Sequence, residues 1–351
     1  MRMNLLALAL LPAMVAAQTV ERQADGVIVR PADAKAADVR LQLVNDRILR
    51  VSADPDGDFA RSASLMRVPV SGTAAFKLVE GKGSVRLQAA GIAAEVSLSD
   101  GQVRFFDKAG KPLVAEVDGG REFTATTFEG VPYYSMRQRF EAQDGEGQYG
   151  TGLHKQGWMN LKGRDVELLQ HNIDNAIPYL LSTRNYGILW DNNSITRYGD
   201  PRGLQPLGTT LDLFDADGRK GALTARYSVG GKQAVERREA ALNYQYIKDL
   251  AAFPEAGKNL AQGGRSNVEW VGRIAARSDG RHTFSLYNSE YAKVYIDGKL
   301  VIDRWRQNWN PWHHEFALEM KAGEQHDIRV EWDRIEPAYI ALLHRDPLPK
   351  D

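Results

Sequence analysis

The sequence has 351 residues, which is long enough for two domains, because a single hydrophobic core usually stops growing below this size. Its hydrophobic content of 43% is ordinary for a globular protein, and 45 basic residues balance 45 acidic ones. Without a basic excess of the kind that binds nucleic acid or anionic membranes, we expect neither as a partner.

The first seventeen residues, MRMNLLALALLPAMVAA, have the pattern of a secretory signal peptide. Arg2 precedes an apolar run from Leu5 to Leu11, and small residues lead to the expected cleavage site after Ala17. The apolar run is too short to cross a hydrocarbon core of about 30 Å, and the sequence offers no second candidate span. We therefore expect a periplasmic or secreted protein that is not held in the membrane after cleavage.

The sequence contains no cysteine, so we expect no disulfide and no lipid-modified cysteine. Apolar and polar residues alternate along much of the chain, and this period of two is typical of half-buried strands. The alternating stretches include residues 39–43, 85–89, 94–98, 316–320 and 328–332. Turn sequences such as SDGQ at 99–102 separate them. The sequence therefore predicts an all-β fold built of β-sandwiches.

Two stretches interrupt the strand pattern and suggest a domain boundary. Residues 200–208, DPRGLQPLG, form a proline- and glycine-rich linker, and residues 230–264 are polar and alanine-rich, which predicts a loop with a short helix at most. We place the boundary near Lys220, with a first domain at 18–220 and a second at 221–351.

The second domain has a clear hairpin signal in AKVYIDGKLVID at 292–303, because Asp297-Gly298 suits the positive φ angles of a tight turn. The motifs W-x-G-x-I, S-x-G-x-x-T-F, V-Y-I-D-G-K and A-G-x-x-x-x-I-R-V follow one another in this region. In this order they resemble the protective-antigen-like (PA14-type) β-sandwich from about Gly221 to His344. That resemblance implies a domain often attached to glycosidases and adhesins, where it frequently contacts carbohydrate.

The first domain has a different resemblance. VRFFDKAGKPL at 103–113 and the run from GQYGTGLH to YGILWDN at 147–192 are similar to the N-terminal, galactose-mutarotase-like β-sandwich of glycoside hydrolase family 31. Within that family, α-xylosidases carry a PA14-type domain in this sandwich. The two resemblances together imply the N-terminal region of an exported α-xylosidase, whose partner is a xyloglucan-type oligosaccharide.

The family's catalytic (β/α)8 barrel has no counterpart in this sequence, since a barrel needs about 250 residues of alternating strand and helix. Without its two carboxylates, about 5 to 5.5 Å apart, we expect a non-catalytic chain that contributes carbohydrate binding. The alternative is a free-standing carbohydrate-binding or adhesion module. A mutarotase-like enzyme is a third interpretation, but no paired His and Glu support it.

We identify no catalytic residue, metal site or cofactor site in the sequence. Asp333 and Glu336 in EWDRIEP could be taken for a glycosidase pair, but they are more simply charges at the end of a strand. His313 and His314 are adjacent, and on a strand their side chains would point to opposite faces, which is poor geometry for a shared metal.

The stretch RWRQNWNPWHHEF at 304–316 holds three of the seven tryptophans. Indole faces suit the apolar faces of pyranose rings, and the polar neighbours could bind hydroxyl groups. The candidate sugar-binding residues are Trp305, Arg306, Asn308, Trp309 and Trp312. The tryptophans could instead fill the core, and the sequence leaves both interpretations open, although we expect at least one exposed ring.

A second candidate sugar contact is the loop LLQHNIDNA at 168–176. The family resemblance implies that this loop leans over the active-site mouth, and Asn172 and Asp174 are the polar residues at the matching positions. The alternative is that both residues cap turns between strands, which is common for Asn and Asp.

Overall fold

The computed structural model describes residues 19–60, 64–68, 74–154, 156–170, 174–200, 202–246, 266–334 and 338–348. The predicted signal peptide at 1–17 lies outside these residues, as do Asn172 and Glu336. The chain divides into two compact units, Met1–Asp200 and Pro201–Asp351. This division falls before the boundary expected near Lys220, because two short strands between residues 205 and 214 pair with strands of the second unit.

The first unit contains two larger antiparallel sheets. The four-stranded sheet, in the order β1-β2-β3-β4, consists of β1 (Thr19–Gln23), β2 (Gly26–Arg30), β3 (Asp38–Asn45) and β4 (Ile48–Asp54). The six-stranded sheet, in the order β10-β9-β8-β7-β6-β5, consists of β5 (Lys77–Glu80), β6 (Ser84–Gln88), β7 (Ile92–Ser97), β8 (Val103–Asp107), β9 (Pro112–Phe128) and β10 (Val131–Phe140).

Two smaller sheets also lie among the described residues of the first unit. The three-stranded sheet consists of β11 (Gln148–Leu153), β13 (Asn175–Ser182) and β14 (Tyr186–Leu189). The two-stranded sheet consists of β12 (Val166–Leu168) and β15 (Thr196–Tyr198).

The core of the first unit lies between its two larger sheets. Val39 and Leu41 of β3 share one buried cluster with Val85 and Leu87 of β6. Along β3, buried residues alternate with half-buried ones, as the period of two predicts. Because the two sheets pack face to face, the unit is a sandwich. Burying each such side chain stabilises the fold by about 1.5–3 kcal/mol.

The second unit is a sandwich of two sheets. The five-stranded sheet consists of β16 (Gln205–Pro206), β20 (Asn243–Tyr244), β22 (Gly280–Asn288), β25 (Trp312–Met320) and β27 (Ile340–Arg345). The seven-stranded sheet consists of β17 (Asp212–Phe214), β18 (Leu223–Val229), β19 (Lys232–Glu239), β21 (Ser266–Ala275), β23 (Glu290–Ile296), β24 (Lys299–Arg306) and β26 (Gln325–Arg334). The four-residue helix α1 (Leu207–Thr210) precedes β17.

One buried cluster joins the two sheets of the second unit. It includes Trp270 of β21 and Trp332 of β26 from one sheet, and Phe284 of β22 and Leu342 of β27 from the other. The inward-facing side of each strand supplies this core, and the predicted all-β sandwich architecture is confirmed.

Two local predictions for this unit have different outcomes. The hairpin at Asp297-Gly298 is confirmed, since both residues have positive φ (49° and 75°) between β23 and β24. The expectation of a loop from residue 230 is wrong for its first part, because β19 pairs with β18 along its length. Gly230 and Gly231 both have positive φ and form the turn of that hairpin. The charged segment after this turn is therefore a strand.

Candidate functional site

The tryptophan-rich stretch forms the connection between β24 and β25. Its turn is closed by the backbone N–H of Asn310, which donates to the carbonyl of Gln307 at 3.0 Å. This bond places Asn308 and Trp309 at the two central positions of the turn, farthest from the strands. The loop that the sequence predicted is therefore a tight turn with an indole at its tip.

The three tryptophans of this stretch differ in exposure. Trp309 is 78% exposed and Trp305, on β24, is 54% exposed, whereas Trp312 is half-buried at the start of β25. The expectation of at least one exposed ring is confirmed. Trp305 lies directly opposite Tyr291 of β23, whose ring is 37% exposed, so a second aromatic side chain borders the loop.

The polar residues of the stretch support the turn as well as facing solvent. Arg306 donates from Nε to the carbonyl of Asn310 at 3.2 Å, and this bond braces the two ends of the loop. Asn308 is half-buried. The role of Arg306 and Asn308 as sugar contacts stays a prediction.

The two adjacent histidines of β25 have different neighbours. His313 has its Nδ1 3.1 Å from the Ser285 hydroxyl and its ring 4.8 Å from Tyr287, and burial lowers the pKa of His313. Burial, followed by the nearby guanidinium groups of Arg304 and Arg306, lowers the pKa of His314 to about 4. Both are therefore neutral at pH 7, and as consecutive residues of a strand their side chains point to opposite faces of the sheet.

A buried histidine pair that the sequence did not indicate lies in the same unit. His282 Nδ1 and His344 Nε2 are 2.9 Å apart, and with Asp346 they are the one group among the described residues with the spacing of metal ligands. The other ring nitrogens are 2.9 Å from the Ser278 carbonyl and 2.7 Å from the Thr210 hydroxyl.

This histidine pair has the geometry of a hydrogen-bonded chain. The two ring centroids are 5.1 Å apart and the interplanar angle is 16°. Because the facing nitrogens are only 2.9 Å apart, the two rings lie edge to edge and nearly coplanar. The two facing nitrogens then point at each other and share one proton, which leaves no room for an ion between them. We interpret the pair as packing that joins β22 to β27.

The second candidate contact, Asp174, is half-buried and directly precedes β13 in the first unit. It lies in a different unit from the tryptophan-rich loop. Beside it, the three-stranded sheet presents an apolar face of alternating residues, all of them exposed. These residues are Leu153, Ile177, Tyr179, Leu181 and Leu189. This apolar face therefore extends over three adjacent strands.

The described member of the carboxylate pair in EWDRIEP lies at the end of a strand, as expected. Asp333 is exposed on β26 and accepts a hydrogen bond from the side-chain amide of Asn267 on β21. Its exposure on the outer face of the sheet is that of a charge at the end of a strand, which is the simpler interpretation given above.

Two family models match this chain. The glycosyl hydrolase 31 N-terminal galactose mutarotase-like domain matches residues 38–198, and the PA14 domain matches residues 256–344. These matches agree with the two predicted sandwiches and with their order.

Individual proteins of two kinds are similar to this chain. The crystal structure of an α-xylosidase of family 31 from Xanthomonas citri is 59% identical over 94% of this chain and 36% of that one, with a TM-score of 0.89. An α-xylosidase from Saccharolobus solfataricus is 26% identical over 45% of this chain and 22% of its own. An anti-sigma-I factor, RsgI3 from Acetivibrio thermocellus, is 31% identical over 44% of this chain and 23% of its own.

This chain spans 36% or less of the length of each of these three proteins. The high identity and close superposition with the Xanthomonas enzyme cover both sandwiches at once. The chain is therefore an N-terminal part of a protein similar to the α-xylosidases of glycoside hydrolase family 31, in which a PA14 domain accompanies the galactose mutarotase-like domain.

Proposed function

We propose that this chain is the non-catalytic, carbohydrate-binding region of an exported α-xylosidase, and that its PA14 domain binds xyloglucan-type oligosaccharides. The observation that carries this proposal is the exposure of Trp305 and Trp309 on and beside the turn after β24. Two exposed indoles on one connection between strands leave their faces open to a ligand, and an indole face matches the apolar face of a pyranose ring.

Three further observations support the wider proposal. The relatives named α-xylosidases are much longer than this chain, so hydrolysis of α-xylosides is the proposed activity of the whole protein. The exposed apolar face beside Asp174 suits contact with such a catalytic part. The pattern of residues 1–17 supports export to the periplasm or the medium.

The test is a binding measurement on the full chain. Titration with xyloglucan oligosaccharides should change the tryptophan fluorescence with a dissociation constant near 1 mM, about −4 kcal/mol, because an open surface encloses little of the ligand. Trp309→Ala should abolish this change without lowering the melting temperature. Trp158→Ala, in the first unit, is the matched control and should bind as the unchanged chain does. Equal binding by Trp309→Ala would contradict the proposal.

The alternative is a free-standing binding or adhesion module. The similarity to an anti-sigma factor favours this alternative, because the name of that protein describes no hydrolase. A chimera distinguishes the two. This chain would replace the equivalent region of the Xanthomonas enzyme, where the 59% identity makes assembly feasible. We expect the chimera to hydrolyse xyloglucan oligosaccharides and the chain alone to release no xylose. An inactive but folded chimera would favour the free-standing module.

A further inference from the structure

A row of side chains crosses the outer face of the seven-stranded sheet, starting from Trp305. The strand register places Trp305 opposite Tyr291, Tyr291 opposite Asp333, and Asp333 opposite Asn267. All four side chains are exposed, whereas their sequence neighbours Ala292, Trp332 and Val268 face the buried core. The row is therefore continuous on the solvent side of four adjacent strands.

The composition of this row is that of a sugar-binding surface. Two aromatic rings lie at one end, and a hydrogen-bonded Asp and Asn pair lies at the other. Asn267 donates its side-chain amide to Oδ1 of Asp333, which leaves Oδ2 of Asp333 and the carbonyl oxygen of Asn267 as exposed acceptors. Neighbouring hydroxyl groups of a sugar ring can donate to such a pair of oxygens.

The ring of Tyr291 lies next to an acidic residue of the adjacent strand. The Asp303 carboxylate near its hydroxyl group raises the pKa of Tyr291. Asp303 lies opposite Lys293, two residues from Tyr291 along β23, so the ring leans along the sheet toward that position. A ring that leans along the surface presents a face for stacking.

We infer that a chain of pyranose rings binds across these strands, with stacking on Trp305 and Tyr291 and hydrogen bonds to Asp333 and Asn267. Three strand spacings of about 4.8 Å separate the ends of the row, which corresponds to roughly three linked sugar rings. The ligand is thus an oligosaccharide and not a single xylose. This inference rests on the proposed sugar binding by the tryptophan loop, which it extends by a second set of contacts.

The same strand supplies a matched control. Tyr295 has the same residue type as Tyr291 and lies four positions further along β23, but the Arg329 guanidinium stacks 3.9 Å from the centroid of its ring. The ammonium group of Lys293 lies over the Tyr291 ring at the longer distance of 5.5 Å from its centroid, and Tyr291 is exposed whereas Tyr295 is half-buried. A sugar can therefore reach Tyr291 more readily than Tyr295, so only the first should contribute to binding.

The experiment compares ligand lengths and variants of the full chain. Xylose, cellobiose, cellotriose and a xylosylated cellotetraose are titrated by calorimetry or by ligand-observed NMR, and melting temperatures confirm folding. We expect affinity to rise about tenfold or more from the monosaccharide to the trisaccharide. Tyr291→Ala and Asn267→Ala should each lower affinity for the longer ligands about five- to tenfold, and Tyr295→Ala should leave it unchanged.

The outcomes separate this inference from the function on which it rests. If Trp309→Ala lowers binding while Tyr291→Ala and Asn267→Ala do not, the loop binds sugar and the sheet face does not, which overturns the inference alone. Equal affinity for xylose and the longer ligands would overturn it as well. If none of the four sugars binds, both proposals fail.

Discussion

The second unit holds two pairs of tryptophans in opposite environments. Trp270 and Trp332 are 0% and 1% exposed, and their rings pack 6.4 Å apart in the core. Trp305 and Trp309 are 54% and 78% exposed. Trp332 and Trp305 even belong to the same sheet, on strands separated only by β23. The side of the sheet that a residue faces, and not its type, decides whether a tryptophan builds the core or a surface.

The buried pair also has its polar atoms satisfied. Trp270 donates its indole N–H to the Glu239 carboxylate at 2.8 Å, and Trp332 donates to the Ser289 carbonyl at 2.8 Å. Such partners are what allow an indole to be buried at low cost. The exposed pair lies at the end of β24 and in its turn, where the rings add little to the packed interior. The first pair should therefore determine stability and the second should determine binding.

The largest expected effect is the loss of a buried ring. Trp270→Ala should lower the free energy of unfolding of the second unit by about 3–5 kcal/mol, because it leaves a cavity in the core. Urea denaturation followed by circular dichroism measures this loss. Trp305→Ala in the same sheet is the control. A loss below about 1 kcal/mol for Trp270→Ala would mean that the core repacks around the site and that the two pairs are less different than their exposure indicates.

The next effect concerns the carboxylate beneath Trp270. Besides the indole, buried Glu239 accepts hydrogen bonds from Tyr227, from Tyr244 at 3.0 Å and from Arg237. Burial and the Glu239 carboxylate raise the pKa of Tyr244 to about 12, and they also raise the pKa of Tyr227. Both tyrosines therefore stay protonated and donate.

Glu239→Gln should cost about 3 kcal/mol, because the amide removes the charge that Arg237 faces and cannot accept all four bonds. Chemical denaturation measures the loss. Glu236→Gln, on the same strand but at its exposed face, should change stability by less than about 0.5 kcal/mol. Equal effects of the two substitutions would show that the buried network adds nothing to the core.

The alternation of apolar residues was sufficient to predict the class of the fold. Leu41, Val330 and Trp332 are buried at the positions that the period of two assigns to the interior. The hairpin at Asp297-Gly298 was predictable from local turn chemistry. The strand β19 was not, because its charged residues are exposed and its pairing with β18 depends on a partner that local composition does not reveal.

The candidate site was predictable only where it is contiguous in sequence. Trp305 and Trp309 fall within one tryptophan-rich stretch, and the turn residues around them led us to expect at least one exposed ring, without identifying which. Tyr291, Asp333 and Asn267 come from three separate strands, and only the register of the sheet brings them beside Trp305. The edge-to-edge pair of His282 and His344 could not be predicted for the same reason, because 62 residues separate the two histidines.

A third prediction extends the comparison to histidines. Burial, then His282 and Arg345, lowers the pKa of His344 to about 3. The unfolded chain has an ordinary histidine pKa of about 6.5, so between these values it binds a proton that the folded chain does not. Stability is therefore complete above pH 6.5 and decreases as the pH falls. At pH 5 this residue should account for a loss of about 2 kcal/mol.

Urea titrations at pH 7.5 and pH 5 measure this slope. The free energy of unfolding should differ between pH 7.5 and pH 5 by about 2 kcal/mol less in His344→Gln than in the unchanged chain. This holds whatever the substitution does to stability at neutral pH. His326→Gln, at a half-buried histidine paired with Asp297, is the comparison variant. If His344→Gln keeps the full slope, then other groups carry the acid sensitivity.

The smallest expected effect on stability is that of Trp309→Ala, and it tests most directly whether this tryptophan belongs to the surface or to the core. Trp309→Ala should change the free energy of unfolding by less than about 0.5 kcal/mol, because a ring that is 78% exposed gives up little packing when it is removed. The same substitution should remove a large part of the fluorescence that acrylamide quenches, since Trp270 and Trp332 are inaccessible to the quencher. Bound oligosaccharide should protect this fraction in the unchanged chain and not in the variant. A substantial loss of stability would instead mean that the turn is part of the packed fold, and that the tryptophan-rich stretch owes its composition to packing.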